Sequence, residues 1–299
     1  MAQVAADAKG GLGYMAASAF FFSIMALLVR VAGERLPSWQ IVLARSVVAL
    51  ALSLVLVWRA GVSPWGNDRK LLLLRGLLGF GALACFYWSL LHMPLAEATL
   101  IQQSHPVFTA LLAALFLREP LRAVDLASIG ISLVGVLLVA RPPMLFGGAA
   151  QAMDPAVVAV AICGALLSGT AYVVVRKARG LEHPLVVVLW FPLVATPLSL
   201  PPALFQWTAP TALEWLVLIG VGVSVQIAQV FMTHGLHRET ASRATAMSYV
   251  QIVFAAVWGV VFLREVPDPL TIIGATLICG SVTALAAWPR RVLVPNPDE

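Results

Sequence analysis

Residues 99–119 read "TLIQQSHPVFTALLAALFLRE", a long apolar run broken by amides, an imidazole and a proline. Gln102, His105 and Thr109 recur at spacings of three and four, which on a helix puts them on one face. Pro106 lacks the N–H that would bond the carbonyl of Gln102, so that carbonyl is expected to stand free. In an apolar solvent such a group is tolerated where it lines a cavity or meets another helix. A second run, 241–263, carries Ser248 and Gln251 at the positions matching Gln102 and His105, with Tyr249 and Trp258 close by. A third, 212–234, sets Gln226, Gln229 and Thr233 on one stripe, and the run matching it carries Phe80, Leu83 and Tyr87. Amides on one wall and rings on the other suit a solute with a polar head and an apolar or aromatic tail. Trp88, Trp190 and Tyr172 are further candidates for the aromatic wall. Each of these side chains also has a plainer reading as helix packing or lipid contact, and for His105 that reading is a bond to a neighbouring helix.

The signals of catalysis are missing. Glu97, Asp125, Glu214 and Asp268 sit at the ends of apolar runs, and no Asp or Glu falls inside one. There is no G-x-x-x-x-G-K-[ST] loop, no His/Glu metal pair of the metalloprotease kind and no G-x-S-x-G elbow. Gly76, Gly79 and Gly81 lie within an apolar run and read as close helix contact. Cys85, Cys163 and Cys279 show no metal-binding or disulfide spacing. The reading is therefore a protein that is not an enzyme, with no cofactor, metal or nucleic acid and with a small molecule as its partner. A membrane-embedded enzyme, the competing class, needs an acid, base or metal cluster at one interface. Arg45 is the one cation read as lying fully inside a run, either as a counter-charge for a substrate carboxylate or as an arginine snorkelling outward, six residues from Trp39.

Ten apolar stretches must position these groups. At 61% hydrophobic and 11% charged residues, with mean hydropathy +0.93, a chain of 299 residues cannot bury its apolar surface in water. Stretches of about 18–22 residues at 13–32, 39–58, 71–91, 96–117, 123–140, 156–177, 185–205, 212–234, 241–263 and 268–287 each match a helix crossing ~30 Å of hydrocarbon. Runs such as 47–57 have no alternation of polarity, which excludes a lipid-facing barrel. The first run has its small residues in front, so it reads as a permanent span and not a cleaved signal. Ten spans place 14 Lys and Arg, Arg75 among them, on one side and 4 on the other, which predicts cytoplasmic N- and C-termini.

The chain also repeats itself. Phe116-Leu117-Arg118-Glu119 recurs 146 positions later as Phe262-Leu263-Arg264-Glu265. The same offset superposes Val29-Arg30 on Val175-Arg176 and Ala98-Thr99 on Ala244-Thr245. A unit of five spans is odd, so its second copy enters the membrane from the other side and the two FLRE ends fall on opposite faces. The predicted fold is all-α, ten transmembrane helices as two inverted five-helix repeats, 1–146 and 147–299, around a central cavity. One chain then holds both halves of a transport unit, and a monomer suffices.

Five-plus-five spans in about 300 residues, with "FLRE" closing the fourth span of each half before a Gly-rich fifth, resemble the drug/metabolite transporter superfamily in its EamA-type branch. Within that branch the chain looks most like bacterial amino-acid exporters of the YddG type. The resemblance implies a basket of ten helices in the bacterial inner membrane, the first four of each half around the cavity, and export of neutral or aromatic amino acids by alternating access. Small multidrug exporters of the same superfamily use a membrane glutamate in the first span. Residues 13–32 contain none, which speaks against carboxylate-coupled proton exchange. The substrate-binding set is then Gln102, His105, Tyr87, Gln226, Gln229, Ser248, Gln251 and Arg45; other metabolites, drugs, or sugar-linked or nucleoside-like solutes are the alternative cargo.

Overall fold

The computed structural model describes residues 2–92, 95–140, 145, 154–263 and 269–288. Arg141, Arg264, Glu265, Asp268, Arg290 and Arg291, on which part of the sequence reading rests, lie outside the described residues.

The helices are α1 (Ala2–Ala32), α2 (Ser38–Arg59), α3 (Arg69–His92), α4 (Leu95–Gln102), α5 (His105–Leu117) and α6 (Ala123–Ala140), then α7 (Pro155–Lys177), α8 (Pro184–Phe205), α9 (Ala212–Arg238), α10 (Ala241–Met247), α11 (Val250–Leu263) and α12 (Pro269–Ala287). Among the described residues no strand interrupts them. Among the described residues nine stretches are long and apolar enough to cross a bilayer, two of them built from the pairs α4–α5 and α10–α11, and the apolar part of α6, Ala123–Val139, is a shorter tenth. The protein is an all-helical, multi-span membrane protein.

Packing follows an exchange of halves. α1 lies along α9 and α3 along α7; α5 meets α7 and α11 meets α1; α2 packs on α8, and α6 on α12. Small residues set how closely these helices approach. A Cβ added at Gly76 on α3 would lie 2.5 Å from Val194 Cγ2 and 2.8 Å from the carbonyl oxygen of Trp190 on α8. A Cβ at Gly164 on α7 would lie 2.9 Å from that of Cys85 on α3. With a Cβ at Gly79 2.7 Å from Phe191 Cδ2 and one at Gly81 3.3 Å from Leu167 Cδ1, the reading of Gly76, Gly79 and Gly81 as contact points holds.

The connecting loops repeat the pattern. Arg35, between α1 and α2, donates its Nε to Glu214 Oε1 at 2.6 Å, and Glu214 closes a capping box with Thr211 at the start of α9. Gln40 reaches the same loop, donating to the Thr208 carbonyl at 2.7 Å and accepting from Thr208 N–H at 3.0 Å. The α7–α8 loop does likewise with the α2–α3 loop, where Glu182 Oε1 accepts from the N–H groups of Asn67, at 2.7 Å, and Asp68.

The fourth span is broken after Gln102, and its counterpart breaks after Met247. At both breaks the ladder tightens to three-residue steps: Ser104 N–H to Ile101 O at 3.0 Å and Val107 N–H to Ser104 O at 3.0 Å, against Ser248 N–H to Thr245 O at 3.1 Å and Gln251 N–H to Ser248 O at 3.0 Å. Pro106 explains the first. The second has no proline; there the Ser248 hydroxyl takes the Thr245 carbonyl at 2.6 Å, as Ser104 takes that of Ile101 at 2.6 Å. Ser248 thus plays at its break the local part that Ser104 plays in the fourth span. The carbonyl of Gln102 is not free either: His105 Nδ1 lies 3.1 Å from it.

Candidate functional site

Helices α1, α2, α3, α4, α7, α8 and α9 surround a cavity of about 180 Å³. Its polar wall holds Arg45, Arg75, Gln102, Ser168 and Gln229. Its rings are Phe22, Phe86, Tyr172 and Phe191, and Ala82, Leu83, Val175 and Met232 fill much of the rest. A small annex of about 10 Å³ continues from Arg45, Phe191 and Gln229 past Gln226.

The two arginines dominate the electrostatics. Arg45 is 7% and Arg75 5% exposed, so neither snorkels to water. Each also lies against the ring of Phe191, the guanidinium carbon 5.9 Å from its centroid for Arg45 and 5.1 Å for Arg75. Arg75 donates an Nη to Gln229 Oε1 at 3.1 Å, while its Nε has no partner. For Arg45 the recorded hydrogen-bond acceptor is a weak one, the Met25 sulfur at 3.8 Å. Among the described residues none of the lining side chains is acidic.

Arg75 therefore corrects the sequence reading twice. It is a second buried cation beside Arg45, and it leaves the loop charge on its side at 13 instead of 14. The signal was present, since the span drawn at 71–91 contains it.

The other candidates divide. Gln102 and Gln229 line the main cavity, and Gln226 lines the annex with both polar atoms of its amide unpartnered and 3% of its surface exposed. His105 stands one layer back, its ring stacked on Tyr172 with centroids 5.1 Å apart. Thr109 Oγ1 bonds the His105 carbonyl at 2.9 Å and Thr233 is buried off the cavity. Tyr87 packs on Trp39 at 6.2 Å, away from the lining. Ser248 and Gln251 are not in the lining, nor is any residue of α10 or α11. Of the three further aromatics only Tyr172 reaches the cavity: Trp190 Nε1 bonds the Pro64 carbonyl at 3.1 Å, and Trp88 stacks on His92 at 4.2 Å.

Comparison with known proteins places this arrangement. The EamA-like transporter family model matches twice, over residues 9–141 and 156–287. The chain belongs to that family. It is 32% identical to the pseudopaline exporter CntI of Pseudomonas aeruginosa, over 93% of this chain and 96% of that protein. It is also 30% identical to human solute carrier family 35 member G1, over 91% and 77%, and 24% identical to an S-adenosylmethionine uptake transporter of Rickettsia felis, over 90% and 89%. A solved crystal structure superposes with TM-score 0.82 at 21% identity, covering 93% of this chain and 96% of the other, which shows a shared fold. The EamA-type resemblance is upheld, and these relatives are transporters. They do not single out the YddG-type exporters of aromatic amino acids.

Proposed function

We propose that this EamA-like transporter carries small amino-acid-type metabolites outward through the cavity by alternating access. The observation that carries the reading is a central cavity lined by two buried arginines, amides and rings in a chain of this family. A carboxylate finds charge-assisted donors there, an amino group finds the amide oxygens of Gln102 and Gln229, and an apolar or aromatic side chain finds Phe86, Tyr172 and Phe191. A volume of about 180 Å³ falls below the ~300–1,000 Å³ of sites for drug-sized ligands. That favours amino-acid-sized cargo over nucleoside-like or sugar-linked solutes. Outward movement is suggested by likeness to the pseudopaline exporter.

Alternating access in this reading comes from two inverted halves, 1–146 and 147–299, rocking about the cavity in a monomer. The exchange of helix contacts between halves and the double match of the family model support it. The charge bias supports cytoplasmic termini, in the inner membrane of a bacterium. The test is a set of labelled amino acids, sugars and nucleosides offered to liposomes holding the purified protein, with and without a pH gradient. Flux of amino acids unaffected by the gradient is expected; movement of nucleosides or sugars with amino acids excluded would overturn the proposal.

A further inference from the structure

We propose that Arg45 and Arg75 form a paired clamp for a solute bearing two carboxylates, so that among metabolites of amino-acid size the cavity prefers diacids. The proposal rests on the transport reading above and sharpens its substrate class.

The two guanidinium groups come from different helices, α2 and α3, to one cavity. Their distances to the shared Phe191 centroid cap the separation of their central carbons at about 11 Å. One small molecule can therefore touch both. Each guanidinium carries five N–H donors. The hydrogen bonds they make here are one to Gln229 Oε1 and one to a thioether sulfur, and the Arg75 Nε is buried without an acceptor. Both residues are more than nine-tenths buried, so their remaining donors depend on what the cavity holds.

A charge held this way needs an anion, and among the described residues the lining supplies none. The planar fork of an arginine matches a carboxylate with two parallel bonds. A neutral amino acid brings one carboxylate, satisfies one arginine and adds an ammonium group beside the other. A dicarboxylate answers both. Both guanidinium groups lie against the Phe191 ring, and Ala82, Leu83 and Ala171 add apolar surface to the same lining, which suits the carbon frame of a diacid and gives nothing to an inorganic anion. One turn from Gln229, the unpartnered amide of Gln226 lines the small annex that shares Arg45 with the cavity. The volume has room for a four-carbon diacid.

The test is an amide series of one shape. Succinate, succinamate and succinamide present two, one and no carboxylates, and inorganic phosphate serves as the compact anion. Binding to the purified full chain in detergent, read by calorimetry, should weaken about tenfold for each carboxylate replaced, with phosphate weaker than succinate. Arg45→Gln and Arg75→Gln should each bring succinate and succinamate within about twofold of one another. Equal binding across the series on the unmodified protein, or phosphate binding more tightly than succinate, would overturn the clamp whether or not the variants fold. Glutamine variants that fold and keep the tenfold step would overturn it as well. Flux of labelled succinate into liposomes is measured separately: binding that follows the series without flux would leave the clamp standing and count against the transport reading.

Discussion

Glu119, the last residue of the first FLRE, ties three helix ends together. Its Oε1 accepts from Arg176 Nε at 2.6 Å and its Oε2 from the N–H of Ala241 at 2.8 Å, so one carboxylate joins the ends of α5 and α7 to the start of α10. The pair is mostly buried, Arg176 12% and Glu119 14% exposed. Substituting Glu119→Ala removes a hydrogen bond to a charged donor, about 1.5–3 kcal/mol, and a cap on a helix N-terminus, about 0.5–2 kcal/mol. Arg176 keeps the carbonyls of Leu236, at 3.0 Å, and His237, at 3.3 Å, so it is not orphaned and the lower half of those ranges applies. The loss should be about 2–3 kcal/mol, which at about 2 °C per kcal/mol in a chain this long lowers the melting temperature by roughly 4–6 °C. A double-substitution cycle of Glu119→Ala with Arg176→Ala, read by thermal unfolding in detergent, should give a coupling of at least about 1 kcal/mol. The charge swap Glu119→Arg with Arg176→Glu should not restore stability, because Ala241 N–H needs an acceptor at position 119. A coupling near zero, or full rescue by the swap, would refute this account of the motif.

Three further outcomes are expected. Gln229→Leu should change the affinity for succinate more than Gln102→Leu, because only the former takes an acceptor from Arg75; calorimetry on the two variants reads the difference, and equal effects would contradict it. Ser248→Ala and Gln251→Ala should leave affinity within about twofold, since neither lines the cavity, and a tenfold loss at either would place α10–α11 in the site. Gly76→Ala should destabilise the fold by about 1–3 kcal/mol through overpacking against Val194 and the Trp190 carbonyl, seen as a lower melting temperature with the ligand preference of the folded fraction unchanged.

Span number and helical class were legible because the bilayer imposes a length and a hydropathy that each stretch must meet alone. FLRE and its offset pointed to a chain in two parts, and the family model matches it twice. What a single stretch does not disclose is which way its polar face turns. Span nine has a polar stripe as clear as that of span four, yet α10 and α11 turn toward α1, α5 and α6 while α4 presents Gln102 to the cavity. The break in span nine was likewise hidden, since proline announces a break and a serine that takes a carbonyl of its own helix does not.

The two arginines show the same limit from the other side. Arg45 lies seven residues into α2 and Arg75 six into α3, each roughly 10 Å along its helix at 1.5 Å per residue. Side chains at that depth have two outcomes, reaching back to water or turning inward, and sequence treats them alike. The neighbours that decide are remote in the chain: Phe191 on α8 offers its ring to both cations, and Gln229 on α9 offers an oxygen to one. Because α8 packs on α2 and α9 along α1, those neighbours are brought in by contacts between the two halves of the chain. The charged centre of the cavity is thus a product of the association of the halves. Under the rocking of the halves proposed above, that polar lining would change as they move, which is what a carrier needs in order to hold a solute in one arrangement and release it in the next.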